Sequence, residues 1–490
     1  MMSNAMNRRD FLRSSCASMA AGSLFCQGRV SAEGPRPNVL FIGVDDLRPQ
    51  LGCYGQSQIL SPNIDRLARE GLLFERTYCQ QAICMASRAS LLSGYRPNKG
   101  DIFRDGPLFE CVPDALPLNM HFLNNGYETI TIGKIYHHHS DEKKGWSREA
   151  FHAEGDWEGR GYLSPEAIAA VEEYDAKNAK ARRHGLGPAF EGPDVPDDAY
   201  ADGLESRHAV EELNRLQDRP FFLAMGFHKP HLPFNAPKKY WDLYDPDAID
   251  LAENPFAPKG MPDAAGTTWG ELRGYHGMPE KGPMPDSLAR QLIHGYYACI
   301  SYTDAMIGRL LDELDRLDLR KNTIVVLWGD HGWKLGEHGM WCKHTNFELD
   351  THVPLIISAP GMETQGQRTR ALTEFVDLYP TLCELTGLPL PAHLEGKSMA
   401  PLLADPNQPW KEAAYSQYPR SSTMGYSMRT DRYRYTEWRS MATKSIKARE
   451  LYDHETDPAE NTNIALDPAN QALMETLSPK LQAVFGIAKD

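Results

Sequence analysis

Nowhere in this 490-residue chain does an apolar run approach the roughly eighteen consecutive residues that a membrane-spanning helix needs. An excess of positive charge is also lacking, since 52 Lys and Arg stand against 66 Asp and Glu, a net charge of −14. Such a chain is poorly suited to tracking a nucleic-acid backbone or coating an anionic membrane, although a local cationic pocket can still take a small anion. Cysteine is sparse and unpatterned: of nine, no two have the two-residue spacing of a zinc or redox motif. Repeats and low-complexity tracts are missing, and the 39 Gly and 35 Pro are scattered, which excludes collagen-like and wholly disordered classes. What is present is 41% hydrophobic residues, enough for a large core, in a length that suggests two or more folding units.

Residues 1–32 read as an address rather than as part of the fold. Arg8-Arg9-Asp10-Phe11-Leu12 resembles a twin-arginine export signal. It precedes an Ala-, Ser- and Gly-rich stretch from Cys16 to Cys26, and Val30-Ser31-Ala32 offers a small-residue cleavage site. Signals of this kind export proteins already folded. The expected destination is the periplasm or cell surface, with any cytoplasmic modification made beforehand. Loss of the segment leaves seven cysteines, an odd number, so at least one stays outside any intramolecular disulfide.

From Asn38 onward, short β-branched runs alternate with helical patterns, which predicts an α/β fold: a large, mostly parallel sheet flanked by helices. The expected strands are Asn38–Val44, Thr129–Ile132, Phe221–Phe227, Thr323–Gly329 and Val353–Ser358. Ser61-Pro62 is expected to open a helix, and a long amphipathic helix is expected around Ser287–Leu317. Two irregular stretches, about 139–202 and 245–285, are long enough to be functional insertions. After about residue 395 the texture changes. Met424–Trp438 alternates like antiparallel strands, and a helix is expected near Ala469–Phe485. The division is therefore a catalytic domain over 35–400 and a smaller α+β subdomain over 401–490.

Four of these strands run straight into reactive side chains. Asn38–Val44 ends in Asp45-Asp46; Thr129–Ile132 in Gly133-Lys134, with His137 close behind; Phe221–Phe227 in His228-Lys229-Pro230-His231; Thr323–Gly329 in Asp330-His331-Gly332. Sites in parallel α/β sheets form at the carboxyl ends of strands, so these groups are expected to converge. Asp45, Asp46 and Asp330 would repel one another without a cation, and hard oxygen ligands favour Ca²⁺ or Mg²⁺. His331 keeps a zinc-type site open as a lesser option. Lys134, Lys343 and Arg88, with His137 and His228, could neutralise a sulfate or phosphate group. A metal and basic groups around a tetrahedral anion imply ester hydrolysis by in-line displacement.

Cys84-Met85-Ala86-Ser87-Arg88 places Cys84 at the start of a short helix ended by Gly94, where the positive helix end would favour an anion. This segment resembles the C-x-(P/A)-x-R motif of the formylglycine-dependent sulfatases, in the alkaline phosphatase-like superfamily. The strand-end motifs, together with Gly336-Glu337-His338-Gly339, stand in that family's order from about Asn38 to Leu466. Within it, the runs 221–231, 330–361 and 425–438 look most like the branch acting on uronic acid 2-O-sulfates. The resemblance implies a sulfuric ester hydrolase acting on a sulfated saccharide. Cys84, oxidised to formylglycine by a formylglycine-generating or anaerobic sulfatase-maturing enzyme, would be nucleophile and metal ligand. Asp45, Asp46, Asp330 and His331 match the other ligands of a calcium ion. Arg88 and Lys134 match residues holding the formylglycine hydroxyls. Lys343 and His228 match contacts to sulfate and leaving oxygen, and His137 matches the base that expels sulfate. Position 86 is Ala where many sulfatases carry Pro, which bears on the maturation system that recognises the chain.

Two alternatives stay open. One is a phosphomonoester or phosphonate hydrolase on the same scaffold; the other is a non-catalytic glycan-binding homologue in which Cys84 remains a thiol. Trp157, Arg160 and Trp241 are candidate sugar contacts, although such residues more commonly pack or lie on the surface.

Overall fold

The computed structural model describes residues 36–104, 106–153, 161–177 and 186–487. The twin-arginine segment, Trp157 and Arg160 lie outside the described residues. The elements used below are β1 (Asn38–Val44), α1 (Pro62–Glu70), β2 (Leu72–Tyr78), α2 (Cys84–Ser93), β3 (Glu128–Gly133), α3 (Pro165–Lys177), α4 (Ala201–Arg215), β4 (Phe221–Phe227), α5 (Asp286–Arg316), β5 (Thr323–Gly329) and β6 (His352–Ser358). They are followed by β7 (Ala413–Arg420), β8 (Thr423–Thr430), β9 (Tyr433–Ser440), β10 (Ile446–Asp453) and α6 (Gln471–Phe485).

The large sheet has the strand order β2-β6-β5-β1-β4-β3, with the two-residue strands Arg368–Thr369 and Thr373–Glu374 beside β2. Every residue of β1, β4 and β5 is buried, as expected of central strands covered on both faces. Alternation along β1 serves two cores. Leu40, Ile42 and Val44 pack with α1, α4 and α5; Val39 and Phe41 pack with α2 and the helix Leu378–Thr386. The expected parallel arrangement holds across β5, β1, β4 and β3. The sheet is nevertheless mixed, because β6 runs antiparallel to both β5 and β2. No long crossover helix separates β5 from β6, so the chain comes back the other way.

Ser61-Pro62 does open α1, but the Ser61 hydroxyl donates to Asp65 instead of capping. Asp304, far along on α5, accepts the free backbone N–H groups of Asn63 (3.0 Å) and Ile64 (2.8 Å). β7 to β10 form an antiparallel four-stranded sheet covered by α6, whose Leu477 and Leu481 pack with Met424, Met428 and Tyr435. Buried charges tie this sheet to the preceding chain. Arg434 donates to Glu460 at 2.6 Å and to Glu348 at 2.5 Å, and Arg429 donates to Glu348 at 3.1 Å. Among the described residues all seven cysteines are free, and no helix is long and apolar enough to cross a membrane.

Candidate active site

Strand register brings the site together. Val44 lies level with Phe227 on one side and Gly329 on the other, and Gly133 is level with Gly226. The ladder continues one residue past each strand: Asp45 N–H donates to the Phe227 carbonyl, Asp330 N–H to Val44, and Lys134 N–H to Gly226. Asp45, His228, Asp330 and Lys134 therefore stand in one row at the carboxyl ends of adjacent parallel strands. Close approach is possible because positions 133 and 226 carry no side chain. A Cβ on Gly226 would lie 2.0 Å from the Lys134 carbonyl oxygen, and one on Gly133, at φ 65°, would lie 2.2 Å from that of Gly226.

Asp46 turns the chain out of β1 with φ 59°, an uncommon conformation for a non-glycine residue. Its N–H donates to Asp330 Oδ1 at 3.0 Å and its carbonyl accepts the Tyr296 hydroxyl at 2.8 Å, which holds the turn. Asp45 and Asp46 thus both enter the site, each with its own cation. Lys134 Nζ is 2.7 Å from Asp45 Oδ2, and Lys343 Nζ is 3.1 and 3.2 Å from the two Asp46 oxygens. Arg88, fully buried on α2, donates to Asp330 Oδ2 (2.9 Å), Asp45 Oδ1 (3.1 Å) and the carbonyls of Lys134 and Ile135. All three of its nitrogens are engaged.

His331 Nδ1 lies 3.0 Å from the Gly332 carbonyl; a hydrogen there leaves Nε2 with a bare lone pair. That nitrogen faces Cys84 Sγ at 3.2 Å, Asp46 Oδ1 at 3.4 Å and Asp330 Oδ1 at 3.6 Å. One donor atom each from Asp45, Asp46, Cys84 and His331 lies within 4.8 Å of the others. Burial and the neighbouring acids Asp45, Glu271 and Asp330 push the Asp46 carboxyl well up, despite Lys343. Burial alone would raise Asp45 as well, but Lys134 and Arg88 hold it well below the usual carboxylate range. A lone pair and crowded carboxylates around one point, in a buried setting, are what a divalent cation would relieve.

The expectation of an anion at Cys84 does not hold for the thiol itself. Burial, then Asp45, pushes the thiol well above its ordinary value, and this outweighs the helix end. The two histidines are biased in opposite directions. Burial alone would lower His228, yet hydrogen bonds to Asp202 and Glu205 push it up to about 9. His228 Nδ1 is 3.2 Å from Asp202 and 3.6 Å from Glu205, both on α4. Burial, then Lys134, holds His137 down to about 3, and its Nδ1 has no hydrogen-bond partner in the fold.

Sequence reasoning passed over several contributors. Glu271, from the second irregular stretch, accepts from Lys343 at 2.9 Å and sits 3.1 Å from His231 Nε2 and 3.4 Å from His344 Nε2. Tyr418, on β7, meets His344 Nδ1 at 2.8 Å, so the small sheet reaches to within two side chains of Lys343. Asp202 and Glu205 had no strand or motif to mark them. Trp241 packs against Gly192, Gly295 and His294 and serves the core.

A helix-flanked sheet with acids and cations at its carboxyl edge is the arrangement of the alkaline phosphatase-like fold. The sulfatase family model matches residues 37–388, and the model of the C-terminal part of N-sulphoglucosamine sulphohydrolase matches residues 336–485. The chain belongs to the sulfatase family and is a sulfuric ester hydrolase. It is 34% identical to human iduronate 2-sulfatase over 90% of this chain and 93% of that one. Two solved structures share the fold. One, in complex with its substrate D-glucosamine-2-N,6-O-disulfate, has a TM-score of 0.74 at 22% identity and covers 92% of this chain and 98% of its own. The other, a phosphonate monoester hydrolase of Agrobacterium radiobacter, has a TM-score of 0.70 at 23% identity, covering 92% and 96%.

Proposed function

We propose that this protein hydrolyses the sulfate ester of a sulfated carbohydrate, with uronic acid 2-O-sulfates as the substrate class. The reaction uses a formylglycine made from Cys84 and a divalent cation held by Asp45, Asp46, Asp330 and His331, calcium before magnesium. The observation that carries it is the row of strand ends: Asp45, Asp46 and the His331 lone pair gathered with Cys84, Lys134 and Lys343 on those carboxylates, and His228 in the same row. The 2-O-uronate class is supported by the 34% identity to iduronate 2-sulfatase. The cation would help ionise a formylglycine hydroxyl, and the hydrated aldehyde would supply one oxygen to attack sulfur and another to release it.

This chain's own side chains do the remaining work. Lys134 and Lys343, both held protonated by buried carboxylates, neutralise the sulfate oxygens. His228, protonated at neutral pH, donates to the leaving sugar oxygen as its bond to sulfur breaks. His137, neutral at the same pH, accepts the proton whose removal frees sulfate. Arg88 fixes the relative position of Asp45 and Asp330. The Arg8-Arg9 segment supports export of the folded protein, with maturation by a formylglycine-generating or anaerobic sulfatase-maturing enzyme in the cytoplasm.

Two measurements test this. Peptide mass spectrometry of protein from its own host should find the Cys84 thiol replaced by an aldehyde; an unmodified thiol overturns the nucleophile. A panel of sulfated disaccharides, run beside aryl sulfate and aryl phosphate, should show fastest release from 2-O-sulfated uronates. A faster phosphatase rate would instead favour phosphoester or phosphonate hydrolysis.

A further inference from the structure

The first long insertion carries a group of side chains able to ligate a metal, separate from those around Cys84. His139 and Glu142 lie one turn apart after β3, where the chain makes a short 3-10 turn at Asp141–Lys143. His152 comes directly after Phe151, which bridges back to Ile132 of β3. Both imidazoles aim at one carboxylate oxygen. His139 Nδ1 is 3.1 Å and His152 Nε2 is 2.8 Å from Glu142 Oε2, and the rings stand edge to face with centroids 4.8 Å apart. The Glu142 side chain is 5% exposed, whereas His139 is 59% and His152 31% exposed, so a buried carboxyl underlies two partly exposed imidazoles. All three donor atoms lie within 4.8 Å of one another.

The geometry points to a zinc-class divalent metal site formed by His139, Glu142 and His152, with a coordination position left open to solvent. Two imidazoles and one carboxylate suit zinc and its transition-metal neighbours, unlike the oxygen-rich set at the strand ends. Bonds of roughly 2.0–2.1 Å in a tetrahedron place donor atoms about 3.3 Å apart, so the two nitrogen-to-Glu142 distances of 3.1 and 2.8 Å need to open by only a few tenths of an ångström. The site also has a route to the catalytic row. Ala153, next to His152, donates its N–H to Glu205 Oε1 at 3.2 Å, and Glu205 Oε2 is 3.6 Å from His228 Nδ1. A metal here would cross-link the segment beyond His137 and fix one wall beside His228. Zinc binding at these residues is independent of the substrate proposed above.

The test is calorimetric titration of the metal-stripped full chain with Zn²⁺ alone, comparing the unaltered protein with His139→Ala and His152→Ala. His139 is exposed, so its removal leaves folding intact. Each variant should lose one zinc equivalent or bind it at least tenfold more weakly, while a parallel Ca²⁺ titration stays unchanged. Co²⁺ as a coloured substitute should give a visible ligand-field band that His152→Ala abolishes. Equal zinc stoichiometry and affinity in all three proteins overturns the site.

Discussion

His228 and His137 share one neighbourhood yet are held at opposite protonation states, and the cause in each case is a named neighbour. Asp202 and Glu205 keep His228 charged; burial and Lys134 keep His137 neutral. If His228 is the acid, activity should be retained through neutral pH and fall as pH rises through about 9. Asp202→Asn should bring that alkaline limb down by about one pH unit, read from kcat against pH, without moving the acid limb. The same pair is linked to stability. A histidine raised above its unfolded value of about 6.5 contributes most below that pH, and the contribution is lost as pH climbs through about 9. Cys84→Ala should abolish turnover while costing about 1 kcal/mol or less in urea unfolding, because it removes one small buried atom and no ion pair. Arg88→Met should be far worse. It strands Asp45 and Asp330 without their shared donor, and a loss of roughly 3–5 kcal/mol is expected from the same unfolding measurement.

The site depends on how closely β3 and β4 approach. Gly226→Ala would drive a methyl group into the Lys134 carbonyl, so strand ends must separate. A drop in activity of more than tenfold is expected, with a stability loss of roughly 1–3 kcal/mol. The carboxyl-end residues were legible because central parallel strands read as unbroken apolar runs, and the residues just past each run must lie at the same edge. Cys84 and Arg88 were legible because their spacing and the terminating Gly94 make one local helix. Local signals fail where the partner is distant. The α1 cap is Asp304, contributed from about two hundred and forty positions away. Glu271 sits in a one-turn helix inside an irregular stretch, and only tertiary folding aims it at Lys343 and His231. β2 went unmarked because it starts directly after Gly71 and carries Glu75 and Arg76 mid-strand. β6 is expected as a strand over Val353–Ser358, but its antiparallel direction is not, because direction is not encoded in an apolar run.

Across the whole molecule, buried charge joins the small sheet to the rest. Arg434 is 2% exposed and has its carboxylate partners Glu348 and Glu460 in separate segments. Ending the chain at residue 400 would leave Glu348 without either arginine, so the shortened protein is expected to be insoluble, and the full chain to melt in one calorimetric transition. The link extends to the site through Tyr418, His344 and Glu271, which ends on Lys343. Tyr418→Phe should raise KM for a sulfated disaccharide severalfold and leave kcat within about twofold, since it loosens the His344 and Glu271 contacts behind Lys343 and touches no reacting atom. In α2, all ten residues are buried. A modifying enzyme has to reach the Cys84 side chain, and a helix walled in on every side gives it no access. If Cys84 is converted as proposed, the window is therefore the interval between synthesis and closure of the core, and purified folded thiol protein should stay unconverted when mixed with a maturase.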